Sequence, residues 1–238
     1  MNSSKPICII PARAGSKRIK NKNLILIENK PIIAHTIKIA KKAKIFKKII
    51  VTTNSKVIAK ISISAGAEVP FLRSSKLSGP NATIKDTIKD CIRRINSENV
   101  KYHFCLFPTA LLIEPKDLIS AYNLIKKKDY NGLIAVTENK TFFRSFILNK
   151  NFFNFFWKKN SKKMSQNLKS AYNDSGTFCI FKTSNYLNDN KIIPNNSSKY
   201  LLNKYKGINV DDKSDLEFLK IAFKMKKKRT MMRVRNTE

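Results

Sequence analysis

The chain has 238 residues, enough for one sizeable domain, and 42% of them are apolar, which supports a packed core and argues against disorder. Lys and Arg number 48 against 16 Asp and Glu, a formal net charge of +32. Polyanions are therefore candidate partners, yet Lys, Ile and Asn abound along the whole chain, and charge by itself selects no function. No apolar stretch approaches the roughly 20 residues of a bilayer span, and the segment from Met1 to Pro11 lacks the apolar region and cleavage site of a signal peptide, so a cytoplasmic protein without membrane contact is expected.

Residues 7–10 are all apolar and read as a strand. Residues 31–43 read as a helix, with Pro31 in its first turn and Ile33, Ile37 and Ala40 on one face. Residues 48–52 predict a second strand, and 55–65 a helix that stops at Gly66. A short extended piece at 68–71 precedes the clearest helix, 83–96, where Ile84, Ile88, Cys91, Ile92 and Ile95 form one stripe. Residues 102–107 predict a strand, 115–127 a helix, and 133–137 another strand. This alternation argues for an α/β fold, a parallel sheet covered on both faces, with ligands beyond the carboxyl ends of its strands.

The pattern changes over residues 140–182. The run FFRSFILNKNFFNFFW is aromatic and hairpin-like, with Asn149-Lys150-Asn151 at the turn; an exposed aromatic patch of this kind marks a lid or a dimerisation arm. Residues 206–210 then read as a returning strand, leading into a helix from about Asp212. One domain over 1–228 is expected, followed by a flexible basic tail at 229–238.

Two segments carry chemistry. Residues 11–23, PARAGSKRIKNKN, match neither standard phosphate-loop fingerprint. Even so, the Ala14-Gly15-Ser16 turn lets backbone N–H groups approach phosphate oxygens, Arg13 can grip two of them, and Lys17 and Lys22 add charge. A solvated basic loop is the alternative. Residues 207–218, GINVDDKSDLEF, concentrate carboxylates in a chain with few: Asp212 and Asp215 suit a helix cap, leaving Asp211 available to Mg²⁺. Arg73, after the short extended piece, and Thr83, at the start of the third predicted helix, are candidates for base or ribose contact. The run AYNDSGTF at 171–178 reads as a polar turn before a strand. Cys8, Cys91, Cys105 and Cys179 form no C-x-x-C, and with only His35 and His103 there is no zinc pattern, so buried thiols are expected. His103, inside an apolar strand, reads as a core histidine, and no G-x-S-x-G occurs.

Together these segments resemble the cytidylyltransferases that activate nine-carbon 2-keto acids, the CMP-sialic acid synthetase family, whose opening loop reads P-A-R-G-G-S-K-R-I-P-x-K-N. KPIIAHTI (30–37), AEVPFLR (67–73) and LFPTALLIEPKDL (106–118) follow in the expected order, and residues 152–178 are similar to the pseudaminic acid branch. The resemblance spans about residues 5–225. It implies a Rossmann-like nucleotidyltransferase fold, mostly parallel, with helices on both faces and a small β-rich dimerisation insert at about 140–180. It also implies CTP and a nonulosonic acid as substrates, Mg²⁺ as cofactor, a homodimer and no specific nucleic acid.

Carried over residue by residue, the resemblance gives catalytic roles to Arg13, Lys22 and Asp211. Ser16 joins Arg13 and Lys22 on the triphosphate, with Ala12, Ala14, Gly15 and Lys17 completing that loop. Asn23, Arg73 and Thr83 hold the cytidine. Arg144, Gln166, Tyr172 and Asp174 line the sugar-acid pocket, and Asn209 with Asp211 holds the metal. Three positions depart from the family pattern. Ala14 stands at a glycine-type position, Asn54 replaces an acidic residue, and Asn209 replaces the first Asp of Asp-x-Asp, keeping an oxygen ligand but losing a charge. The competing readings are the same transfer to N-acetylneuraminic acid, legionaminic acid or Kdo, and a catalytically weak homologue that binds nucleic acid through its basic surface.

Overall fold

The computed structural model describes residues 5–16, 18–189, 191 and 193–235. In chain order the elements are β1 (Ile7–Pro11), β2 (Leu26–Ile27), β3 (Lys30–Pro31), α1 (Ile32–Ala43), β4 (Lys48–Thr52), α2 (Lys56–Ser64), α3 (Ile84–Arg94), β5 (Tyr102–Leu106), α4 (Pro115–Lys128), β6 (Gly132–Asn139), β7 (Phe146–Asn149), β8 (Phe152–Phe155), β9 (Ala171–Lys182), α5 (Thr183–Asn188), β10 (Ser197–Leu202) and α6 (Lys213–Arg235). The central sheet has the order β10-β6-β9-β5-β1-β4. β1 pairs in parallel with both β4 and β5, and β10 in parallel with β6. β9 alone runs antiparallel to its two neighbours.

Strand alternation splits the core between the two faces. Cys8, Ile10, Val51 and Phe104 pack with Ile33, Ile37 and Ala40 of α1 and Leu118, Ala121 and Ile125 of α4. Ile7, Ile9, Ile50 and Cys105 face the other way, onto Ile88, Cys91 and Ile92 of α3 and Tyr186 of α5. A third cluster, with Ile19, Ile32, Leu111, Val210 and Leu219, seats α6 beside the opening loop. Helix starts follow their side chains: Ser55 Oγ accepts from the Ile58 amide at 3.3 Å, Glu114 and Asp117 form a reciprocal capping box, and Asp212 and Asp215 do the same ahead of α6. After α2, Gly66 takes φ +96°, a conformation that strains any residue with a Cβ.

Several expectations give way. Residues 206–210 form no strand. Lys206 is buried and donates to Glu114 at 2.6 Å and Asp117 at 2.8 Å, and a Cβ on Gly207 would meet Thr137 at 2.5 Å, so side chains rather than a ladder hold the segment. The edge strand is instead β10. The AYNDSGTF run is not a turn but the first part of β9. Its apolar second half, with Phe178, Ile180 and Phe181 buried, belongs to the main sheet, so the insert ends before residue 171. Within β9, residues 175–178 oppose the single Ala135 of β6, an irregular bulge larger than the usual two residues against one. Residues 229–235, expected as a flexible tail, continue α6. The aromatic run does form a separate hairpin, β7–β8, with Lys150 at φ +50° in its turn.

Candidate active site

The carboxyl ends of β1, β4 and β5, the β9 bulge and the approach to α6 surround a cavity of about 460 Å³. The opening loop forms one wall, and the backbone of neighbouring strands fixes it. The Ala12 amide donates to the Thr52 carbonyl at 3.0 Å and the Ala14 amide to Asn54 Oδ1 at 2.9 Å. Asn23 Nδ2 reaches back to the Arg13 carbonyl at 3.0 Å. Ile19, buried in the third core cluster, pins the far side of the loop. Neither Ala14 nor Gly15 has positive φ, so a Cβ at position 14 is accommodated without strain. Asn54, in the place of an acidic residue, acts as a hydrogen-bond acceptor for the loop.

Four cations line the cavity: Arg13, Arg18, Lys22 and Arg73. Arg13 Nη1 donates to the Gly79 carbonyl at 3.1 Å, and Lys22 Nζ to the Val210 carbonyl at 2.7 Å. Burial lowers the Lys22 ammonium from its ordinary value, opposed by the nearby Asp211 carboxylate. Arg73 is 6% exposed and donates through Nε to Thr52 Oγ1 at 3.2 Å and through Nη2 to the Thr52 carbonyl. Burial pushes its guanidinium down to about 10, so it stays cationic at neutral pH.

The carboxylates on the cavity wall are Asp174 and Asp211. Asp174 Oδ1 accepts from the Gly176 amide at 2.9 Å, which shapes the bulge. Gly176 has φ +60°, and a Cβ there would come within 2.6 Å of Asn209 Oδ1, so its lack of a side chain lets Asn209 lie against the strand. Asn209 Nδ2 donates to Asp211 Oδ2 at 2.9 Å, and Arg18 Nη2 sits 2.8 Å from Asp211 Oδ1. Cationic groups outnumber carboxylates on this wall, and electrostatics therefore favour an anion such as a triphosphate.

The cavity thus brings together Arg13, Ser16, Lys22, Asn23, Arg73, Asp174, Asn209 and Asp211 from the residues singled out in sequence. Others lie elsewhere. Ala12 is fully buried in the core, and Ala14 and Gly15 belong to the loop without facing the cavity. Thr83 accepts from the Asp86 amide at 3.0 Å as the cap of α3, so its hydroxyl serves the helix while Ala82 and Ile84 line the wall. Arg144 donates to the Lys163 carbonyl within the insert, Gln166 is exposed there, and the Tyr172 ring lies under Lys199 Nζ at 3.3 Å. These three stay outside the cavity because their segment pairs with itself or with β6. Lys17 lies outside the described residues. Arg18, Thr87, Phe107, Thr109 and Gly176 also line the cavity. Phe107 and Thr109 follow directly on β5, so their position past a strand's carboxyl end was the available signal.

No cluster of three or more His, Cys, Asp or Glu that could hold a metal occurs among the described residues. The four cysteines are free, and Cys105 faces Cys179 across the β5–β9 ladder.

A mostly parallel α/β sheet with a cationic cavity at its carboxyl edge is the architecture of a protein that binds a phosphorylated ligand beyond its strands. A family model described as Cytidylyltransferase matches residues 7–236, and the chain belongs to that family. It is 35% identical over 225 residues to a protein named pseudaminic acid cytidylyltransferase from Campylobacter jejuni subsp. jejuni serotype O:23/36, covering 93% of this chain and 97% of that one. It is 30% identical to an N-acylneuraminate cytidylyltransferase of Escherichia coli, over 95% of this chain and 54% of the relative. Among solved structures, a CMP:2-keto-3-deoxy-manno-octonic acid synthetase complexed with CTP superposes with a TM-score of 0.71 at 14% identity, covering 93% of this chain and 99% of that one; at that identity the likeness concerns the fold.

Proposed function

We propose that this cytidylyltransferase moves the CMP unit of CTP onto the anomeric hydroxyl of a nonulosonic acid, with pseudaminic acid the first candidate. The observation that carries the reading is the convergence of Arg13, Lys22 and Arg73 with Asn209 and Asp211 on one cavity at the sheet's carboxyl edge. The relative named for pseudaminic acid, 35% identical over nearly the whole chain, supports the acceptor.

In this reading the C2 hydroxyl oxygen of the sugar acid attacks the α-phosphorus of CTP. The bond from that phosphorus to the bridging oxygen breaks, pyrophosphate leaves with the electron pair, and the hydroxyl proton passes to water. Arg13 and Lys22 hold the triphosphate and stabilise the charge that builds on the leaving pyrophosphate. Arg73, kept cationic in a buried setting, addresses the cytidine side of the cavity.

The donor set of Asp211 with the Asn209 amide oxygen fits Mg²⁺, which commonly takes one or two carboxylates and draws its other ligands from substrate phosphates and water. When bound there, Mg²⁺ would neutralise phosphate charge. The exposed β7–β8 hairpin, with Leu148 72% and Phe152 75% exposed, supports a homodimer built on that arm. No helix among the described residues is long and apolar enough to cross a membrane, and a cytoplasmic enzyme is part of the same reading.

The test is pyrophosphate release from CTP and Mg²⁺ with pseudaminic acid, legionaminic acid, N-acetylneuraminic acid and Kdo offered separately. Fastest release with pseudaminic acid is expected. Faster release with another acid reassigns the acceptor, and silence with all four from protein that binds CTP refutes the proposal.

A further inference from the structure

Arg18 makes an ion pair that crosses from the opening loop to the approach of α6, the one such pair among the described residues. Its Nη2 lies 2.8 Å from Asp211 Oδ1, and the other oxygen of that carboxylate accepts from Asn209 Nδ2 at 2.9 Å. Both oxygens of Asp211 are therefore engaged by donors. The neighbouring carboxylates have other duties: Asp215 Oδ2 accepts from the amides of Asp211 and Asp212 at 2.8 and 3.0 Å, and Asp174 from that of Gly176. A divalent cation approaching Asp211 therefore meets a carboxylate that a guanidinium already holds.

The pair is weak by its surroundings. The side chains of Arg18 and Asp211 are 69% and 38% exposed, and an exposed pair of this kind shifts an equilibrium by about fivefold at most. A guanidinium meeting phosphate oxygens gains a stronger, charge-assisted and bidentate contact. Arg18 lines the same cavity as Arg13 and Lys22, so a triphosphate bound there lies within the space its guanidinium faces.

We propose that Arg18 is a displaceable internal cation that occupies Asp211 until a nucleoside triphosphate draws it away, so that nucleotide binds first and the divalent cation second. This rests on the reading of Asn209 and Asp211 as the metal side of the cavity. Arg18 is then a positioning residue for Asp211 and a phosphate ligand in turn. The replacement of a carboxylate by Asn209 is what makes a single arginine sufficient to cover the site.

Mn²⁺ serves as the probe, titrated against the full chain and followed by electron paramagnetic resonance, with binding of a non-hydrolysable CTP analogue measured by calorimetry. Arg18→Gln is expected to tighten Mn²⁺ binding to nucleotide-free protein by about two- to fivefold, and to weaken the CTP analogue by roughly tenfold. The opposite signs distinguish displacement from general damage to the loop. Adding Asp211→Asn to Arg18→Gln is expected to abolish the gain in Mn²⁺ affinity. Unchanged or weaker Mn²⁺ binding in Arg18→Gln, with Asp211→Asn alone still lowering it, overturns the displacement and leaves the metal reading standing. Mn²⁺ binding that ignores Asp211→Asn with and without the analogue overturns the metal reading and the displacement together.

Discussion

Replacing Arg73 with Met separates the needs of the fold from those of the ligand. Arg73 is buried with no carboxylate in an ion pair with it among the described residues; its hydrogen bonds go to the hydroxyl and carbonyl of Thr52. Burial, as the main cause, takes its guanidinium from 12.5 to about 10, which corresponds to a cost of about 3 kcal/mol for holding the charge in the folded protein. As a base whose folded value is depressed, it imposes that full cost below pH 10, and the cost fades only as pH rises from 10 towards 12.5. Met fills a similar volume and removes the cost, but it takes a donor from Thr52 Oγ1, at about 1–3 kcal/mol, while the Thr52 carbonyl keeps the Ala12 amide. The opposing terms nearly cancel. Thermal unfolding at pH 7.5 is expected to move by no more than roughly 4–8 °C, the equivalent of about 2 kcal/mol in a chain of this size. Calorimetric affinity for CTP is expected to fall by about 10- to 150-fold, the loss of one charged hydrogen bond. A folded Arg73→Met protein that binds CTP within twofold of the parent would show that Arg73 serves the sheet and not the nucleotide.

Lys22→Ala should lower kcat/KM for CTP by roughly 10- to 150-fold, checked by pyrophosphate release; near-parental turnover would remove the loop from the chemistry. His103, hydrogen-bonded to Ser97 at 3.0 Å and Thr183 at 2.8 Å, is held by burial at about 4 instead of 6.5. The unfolded chain takes up that proton first, so stability should be full above pH 6.5 and drop by about 3 kcal/mol as pH falls through 4. His103→Gln should flatten this part of the profile in denaturant titrations, and an unchanged slope would contradict the assignment. Replacing Phe152 and Phe153 together with Ser, both exposed on the hairpin, should convert the proposed dimer to a monomer in sedimentation velocity at unchanged far-ultraviolet circular dichroism. An unaltered sedimentation coefficient would move the interface elsewhere.

Local pattern carried much of the architecture. The apolar runs of β1, β4 and β5 and the stripe of α3 sit within a residue or two of their expected bounds, because each is buried on a face its own periodicity announces. The motif residues of the opening loop were equally legible, since loop chemistry follows directly on a strand's carboxyl end. What escaped depends on distant partners. β9 mixes a polar first half with a bulge, and its membership in the sheet is decided by β5 and β6 on either side. Lys206–Val210 has strand-like composition, yet a buried ammonium clamped by Glu114 and Asp117 keeps it out of the ladder. Thr83 looked like a ligand for the same reason that it is a cap, a hydroxyl at a helix start. Arg18 went unassigned because its partner, Asp211, lies 193 positions away in the chain.

The central claim is transfer of an intact cytidylyl unit within the cavity bounded by Arg13, Lys22, Arg73 and Asp211. Incubation of the full chain with CTP, Mg²⁺ and pseudaminic acid, followed by phosphorus NMR and mass spectrometry, tests it directly. The account predicts one new phosphodiester resonance from a CMP-sugar, appearing in equal amount with pyrophosphate, and lost in Arg13→Ala. Orthophosphate with CDP as the products, or no product with any nonulosonic acid while CTP is bound, would contradict it.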